Sequence, residues 1–102
     1  MDQMHHVAIT VKNIEQSVAW YDERFDFEIE WQDQSWALLK FANISLALVL
    51  PGQHPPHVAF VTPEPEKYGK PTPHRDGTAS VYIKDCNDNF VEMLSVPKVG
   101  DQ

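Results

Sequence analysis

Cysteine is almost missing from this chain of 102 residues; Cys86 stands alone. No disulfide can close within it, which fits a reducing compartment. Cations are scarce as well. Eight Lys and Arg face fifteen Asp and Glu, for a formal net charge of −7. That balance disfavours a nucleic-acid or anionic-membrane surface, since both need a basic patch. It also disfavours a strongly anionic substrate, unless a metal supplies positive charge. No apolar run reaches the length of a bilayer span. The start, Met1-Asp2-Gln3-Met4-His5-His6, has no basic region leading into an apolar stretch, so no signal peptide is expected. The expectation is a soluble cytoplasmic domain.

The chain does have enough apolar residues, 42%, and aromatics, 11%, for one ordered core. One domain over 1–102 is expected at this length. It also carries a repeat. His6-Val7-Ala8-Ile9-Thr10-Val11 returns as His57-Val58-Ala59-Phe60-Val61-Thr62. Such self-similarity suggests a duplicated module. The first module runs from about 4 to 50 and a breaker-rich linker from 51 to 56. The second runs from about 57 to 96, and 97–102 is a tail.

In the first module, His6–Val11 reads as a strand. Asn13 is a helix N-cap with Gln16 three residues on, as in a capping box. Ile14, Val18, Tyr21 and Phe25 mark one helix face to about Phe25. Phe27, Ile29 and Trp31 then alternate with polar residues, as in a half-buried strand. Trp36–Phe41 and Ile44–Leu50 follow as strands, completing β-α-β-β-β. The second module restarts at His57–Thr62. Pro63, Pro65, Pro71 and Pro73 then occupy the place of the helix. Proline removes donors and clashes inside a helix, so at most one turn is expected, about Glu64–Tyr68. Ser80–Asp85 and Phe90–Val96 are the closing strands.

Side chains alternate faces along a strand. The aliphatic face Val7, Ile9 and Val11 should pack on the helix, which aims His6, and by repetition His57, at the opposite, concave face. His5 should then face away, and His54 lies in the linker; neither is expected to be a primary ligand. Matching Asn43–Leu48 to Asn89–Leu94 sets Leu46 against Glu92, and Trp36 against Tyr82 ten residues earlier in each case. The recurring positions therefore hold His6, Leu46, His57 and Glu92. Two imidazoles and a carboxylate suit a divalent transition metal with open coordination positions. A carboxylate among Phe90, Val91, Met93 and Leu94 is costly to bury without a cation.

These stretches, with Ser17–Tyr21 and the closing Ser80–Asp85 and Asn89–Met93, resemble the vicinal oxygen chelate superfamily. It includes glyoxalase I, bleomycin-resistance proteins, fosfomycin-resistance enzymes and extradiol dioxygenases. The resemblance spans His6 to Leu94. It implies an α+β fold: two tandem βαβββ modules forming a curled, partly open mixed sheet, here with the second helix trimmed or absent. It implies metal ligands at His6, His57 and Glu92, and a small substrate that chelates the metal through adjacent oxygens. The fourth ligand of glyoxalase-like members falls near Leu46, which has no ligating group. The favoured reading is an extradiol-type dioxygenase using Fe(II), with Mn, Zn or Ni as alternatives. A glyoxalase-like lyase or isomerase, a thiol transferase, or a non-catalytic binding protein of the bleomycin-resistance kind remain open. Fosfomycin-type chemistry ranks lower, since only Lys67, Lys70 and Arg75 offer cations nearby.

Tyr82 could bond a metal-bound oxygen or substrate, or serve as an aromatic wall. His74 could act as acid or base, because histidine titrates near neutrality. Trp36 and Leu46 are expected against the substrate. Members of this length usually form homodimers, and a missing second helix would expose sheet for a partner copy to cover.

Overall fold

The computed structural model describes residues 1–97, so most of the expected tail lies outside the described residues. Strand β1 (Met4–Thr10) leads into helix α1 (Ile14–Asp22). Strands β2 (Glu28–Gln32), β3 (Trp36–Lys40) and β4 (Ser45–Val49) complete the first module. The second has β5 (His57–Val61), a 3₁₀ turn at Pro65–Lys67, a two-residue β6 (Thr72–Pro73), β7 (Ala79–Lys84) and β8 (Phe90–Ser95). All eight strands join one curled mixed sheet in the order β2-β3-β4-β1-β5-β8-β7-β6. This is the expected α+β pair of βαβββ modules with the second helix trimmed.

Helix α1 begins as the cap predicts. The Asn13 side-chain oxygen accepts from the Gln16 N–H at 2.8 Å, and the Ser17 hydroxyl bonds the Asn13 carbonyl at 2.7 Å. Ile14 and Val18 turn their side chains onto Ala37, Leu39 and Leu48. The helix stops at Asp22, earlier than the apolar spacing suggests. Its last turn has no basic residue, and acidic groups there oppose the helix dipole. Phe25 instead folds back, its N–H on the Tyr21 carbonyl at 2.8 Å, and joins Tyr21, Phe27 and Phe41 in an aromatic seal.

The expected alternation of Phe27, Ile29 and Trp31 fails in β2. Ile29 pairs with Leu39, but Trp31 pairs with its neighbour Leu38, so Glu30 is the extra residue of a bulge. The bulge moves Trp31 to the concave side, where it stacks on Trp36 with ring centroids 5.9 Å apart. Ile29 stays exposed on the other side.

The two modules meet along β1 and β5, which run antiparallel, with Val7 opposite Val58. Around that pair the register is symmetric: His6 lies opposite Ala59, and Ala8 opposite His57. Each central strand then pairs in parallel with the last strand of its own module, β1 with β4 and β5 with β8.

A candidate metal centre on the concave face

Following the register across the sheet assembles the site. One row reads Tyr82, Glu92, Ala59, His6; the next reads His57, Ala8, Ala47, Leu38. All these side chains project from the concave side, because paired residues share a face. Ala8 and Ala59 lie between the larger groups and are almost fully buried. Their small side chains let His6, His57 and Glu92 converge above them.

That convergence is tight. His6 Nε2 and His57 Nε2 lie 3.1 Å apart, and Glu92 Oε1 lies 3.1 Å from the first and 3.0 Å from the second. All three residues are buried. Metal–ligand bonds of about 2.1 Å at right angles separate neighbouring ligand atoms by about 3.0 Å; a tetrahedron would spread them to about 3.4 Å. The spacing is close to either value, so one ion would reach all three atoms at once. The hydrogen bonds agree with a cation at the centre. His57 Nδ1 meets the Pro55 carbonyl at 2.7 Å. A carbonyl only accepts, so Nδ1 donates there, and Nε2 is the nitrogen turned toward the carboxylate. A buried carboxylate facing two imidazole nitrogens needs positive charge beside it, which protons on the rings or a metal ion can supply.

Glu92 is held ionised. Burial opposes its charge, but contacts from His57, His6 and Ser80, and the charge of His6, outweigh it and keep the carboxyl far below the usual range. Its other oxygen faces His74, whose Nε2 is 3.7 Å away and 2.7 Å from the Ser80 hydroxyl. Tyr82 Oη approaches His57 Nε2 at 3.5 Å. Burial, then the charge of Glu92, push the phenol well above its ordinary value, so it stays protonated and able to donate.

Around these groups lies a cavity of about 290 Å³ lined by all five histidines of the chain, with Trp36, Leu38, Ala47, Val49 and Tyr82 among its walls. At its mouth Arg75 bridges the modules, 3.0 Å from the Asp33 carboxylate and 2.9 Å from the Ser35 hydroxyl. Asp33 also accepts from Ser35, Trp36 and Trp31; these bonds outweigh partial burial and bring its carboxyl down to about 2.

His6, His57, Glu92, Tyr82, His74 and Trp36 thus gather at one cavity, as the sequence suggests. Leu46 does not. Its β-partner is Val7, and it packs on the Ile14–Val18–Leu48 core beneath α1. The position equivalent to Glu92 is Ala47, since Ala47 pairs with Ala8 as Glu92 pairs with Ala59. The misalignment has a simple cause. Four residues separate Lys40 from Ser45, whereas five separate Lys84 from Phe90. The longer turn holds Asp88 at φ 64°, in the left-handed region, with Asp85 accepting from the Asn87 and Asn89 amides. By the same shift Tyr82 corresponds to Leu38, and Trp36 to Ser80. The equivalent of Glu92 still has no ligating group.

Two histidines set aside on sequence grounds belong to the cavity. His5 turns inward because the β1–β5 register slips between Met4 and His6. His54 reaches in from the linker, its ring 6.4 Å from that of Tyr82. Burial, followed by repulsion from His6 and His57 respectively, holds both below the usual histidine value. The only signal for them was the number of histidines near strand starts; a bulge and a linker path leave no periodic trace.

The curled sheet of paired modules thus gathers two histidines and a glutamate that could hold a metal, the grouping to which the sequence pointed. The profile of the Glyoxalase/Bleomycin resistance protein/Dioxygenase superfamily matches residues 3–88, and the chain belongs to that superfamily. No curated protein matches it in sequence. Among solved structures, it is similar to a methylmalonyl-CoA epimerase in complex with methylmalonyl-CoA and NH4+, with 16% identity, 97% of each chain covered and a TM-score of 0.79. A Streptomyces coelicolor methylmalonyl-CoA epimerase in complex with 2-nitronate-propionyl-CoA gives 16% identity, a TM-score of 0.78, and coverage of 94% of this chain and 98% of that one. The Mycobacterium tuberculosis methylmalonyl-CoA epimerase gives 14%, 0.73, and 98% and 92%. At these identities the likeness concerns the fold.

Proposed function

We propose that this protein is a divalent-metal enzyme acting on a small molecule that offers two neighbouring oxygens, with extradiol-type dioxygenation of a catechol-like ring as the favoured reaction. The observation that carries this reading is the mutual 3.0–3.1 Å spacing of His6 Nε2, His57 Nε2 and Glu92 Oε1. His6, His57 and Glu92 would hold the ion through three side-chain atoms, and a substrate with two neighbouring oxygens would complete its ligands. A divalent ion held there supplies Lewis acidity toward those oxygens and, if it is iron, access to dioxygen.

The chain's own residues supply the rest. Pro55 fixes the ring of His57, and Ser80 and His74 fix Glu92. Trp36, Leu38 and Val49 form an apolar wall suited to a flat ring, and a volume near 290 Å³ admits one ring with small substituents. Tyr82 keeps its proton and can donate it toward a substrate oxygen. His74 stands beside Glu92, placed to take a proton from a substrate hydroxyl. Arg75, anchored on Asp33 and Ser35, narrows the mouth between the modules.

Metal analysis of the purified protein tests the centre, with His57→Ala as control. Near-stoichiometric Fe, Mn, Zn or Ni in the wild type and its loss in the variant supports the reading; metal in neither protein sinks it. Oxygen uptake by Fe(II)-loaded protein with a panel of catechols then tests the reaction. A second reading, metal-assisted proton transfer at a carbon beside a carbonyl, is favoured by His74 and Tyr82 flanking the centre within 3.7 Å of its ligands. Solvent deuterium incorporation into a 2-substituted acyl thioester, without oxygen uptake, would select it.

We further propose a cytoplasmic homodimer. Among the described residues no helix is long and apolar enough to cross a membrane. Val58, Phe60, Val91, Met93 and Ile83 leave a half-buried apolar face where the second helix is missing. Sedimentation showing only monomer at micromolar concentration would overturn the dimer.

A further inference from the structure

We infer that His5 is the positioning residue for the ligand His6, and that the irregularity in β1 exists in this chain to place it there. The inference rests on the proposed metal centre and concerns what orients one of its ligands.

In a regular strand His5 and His6 would point to opposite faces. Here Met4 lies opposite Phe60 and His6 opposite Ala59, so one residue of β1 is left over between two consecutive partners. That residue is His5. The slip brings its ring to the cavity, half-buried, with its Nδ1 2.7 Å from Nδ1 of His6 and the two rings edge to face at 80°. One proton must lie between these nitrogens, because two lone pairs at that distance repel. If it sits on His6, the Nε2 of His6 is left free to face Glu92 and His57, as a ligand requires. His5 is then the acceptor, protonated on its own Nε2.

The same arrangement serves the other histidine. His57 Nδ1 meets the Pro55 carbonyl at the same 2.7 Å. Each imidazole of the centre is thus tied at the nitrogen remote from it, once by a backbone oxygen and once by a side chain. Ligating histidines generally have their second nitrogen fixed in this way, and loss of such a partner costs roughly 10–100-fold in metal affinity. The linker supplies the partner in the second module. In the first module Met4 stands at the place of Pro55, but it is paired in β1 opposite Phe60, and His5 supplies the partner instead.

The test uses the full chain and Co(II) as probe, with chelator competition for affinity and the visible spectrum for geometry. Zn(II)-loaded protein is followed in parallel by nitrogen–proton NMR of the imidazoles. The variants are His5→Phe, which fills the space without an acceptor, His5→Asn, whose side-chain oxygen can stand near the place of Nδ1, and His6→Ala. Wild type should bind one Co(II), and His6→Ala should lose it. His5→Phe should bind roughly 10–100-fold more weakly, with a shifted spectrum and loss of the slowly exchanging His6 Nδ1 proton. His5→Asn should recover most of the affinity and that proton. Wild-type affinity and spectrum in His5→Phe would overturn the role of His5 while leaving the metal centre standing. Failure of His5→Asn to improve on His5→Phe would do the same. No Co(II) or Zn(II) binding by wild type would overturn the metal centre and this inference together.

Discussion

In the first module Leu39 and Leu48 are fully buried under α1. The register sets Ile83 and Met93 at the same places in the second, and both are only half-buried. A 3₁₀ turn at Pro65–Lys67 covers part of that face; Val81 is buried there, but Ile83 and Met93 are not. The concave faces differ in the opposite sense. The second module contributes His57, Glu92, Tyr82 and His74, while the first contributes His5 and His6 and then apolar walls at Ala47 and Leu38. One module therefore holds most of the core and the other most of the chemistry. Duplication lets this happen, since the register that aims side chains at the centre does not depend on which half is packed more fully.

Substitutions at matched positions probe that contrast. The largest effect is expected from Leu46→Glu, which sets a carboxylate at a half-buried place against the core under α1. It should cost several kcal/mol, on the order of 3–5, in chemical denaturation, with no gain in metal binding. Ala47→Glu places the same group at the true counterpart of Glu92 and should tighten Zn(II) or Ni(II) binding about tenfold or more, roughly 1.4 kcal/mol; unchanged affinity would contradict the register equivalence. Next, Leu48→Ala should cost about 2–5 kcal/mol. Met93→Ala should cost less, under about 2 kcal/mol, with an effect that grows with dilution if a second copy covers that face. Equal costs at the two positions would erase the packing contrast.

Two smaller effects come from substitutions in the first module. Asn13→Ala removes the cap of the only α-helix among the described residues and should cost about 1 kcal/mol, read as a lower denaturation midpoint. Asp33→Ala removes a carboxylate whose folded pKa, about 2, lies below the ordinary aspartate value. A depressed folded pKa stabilises the ionised native state, so the contribution is present above about pH 4. The stability gap between wild type and Asp33→Ala should therefore be full at neutral pH and shrink as pH falls toward 2. A gap independent of pH would mean that the charge of Asp33 contributes nothing.

The candidate metal centre is legible in part for a reason that β-structure supplies. Side chains alternate with a period of two, so two strands that repeat His-x-Ala aim their histidines alike. Glu92 was legible as a charge among apolar neighbours. The misplaced residues share one cause. Leu46, Trp31 and His5 were each assigned by counting through a stretch where one residue had been added or lost. A turn one residue longer, a bulge at Glu30 and a slip at His5 each exchange the faces of neighbouring strand residues. None alters composition or hydrophobic content enough to announce itself.

By itself, then, the sequence determined the duplicated architecture, the single capped helix and its loss from the second half, and three residues fit to hold a metal. Those features arise from local signals: alternation, capping, and the refusal of proline to enter a helix. Tertiary structure alone decided that Ala47 rather than Leu46 is the counterpart of Glu92, that Arg75 ties the mouth to Asp33, and that His5 and His54 join the cavity. Pairing between strands distant in the chain sets those relations, and a shift of one residue in that pairing exchanges the core for the site.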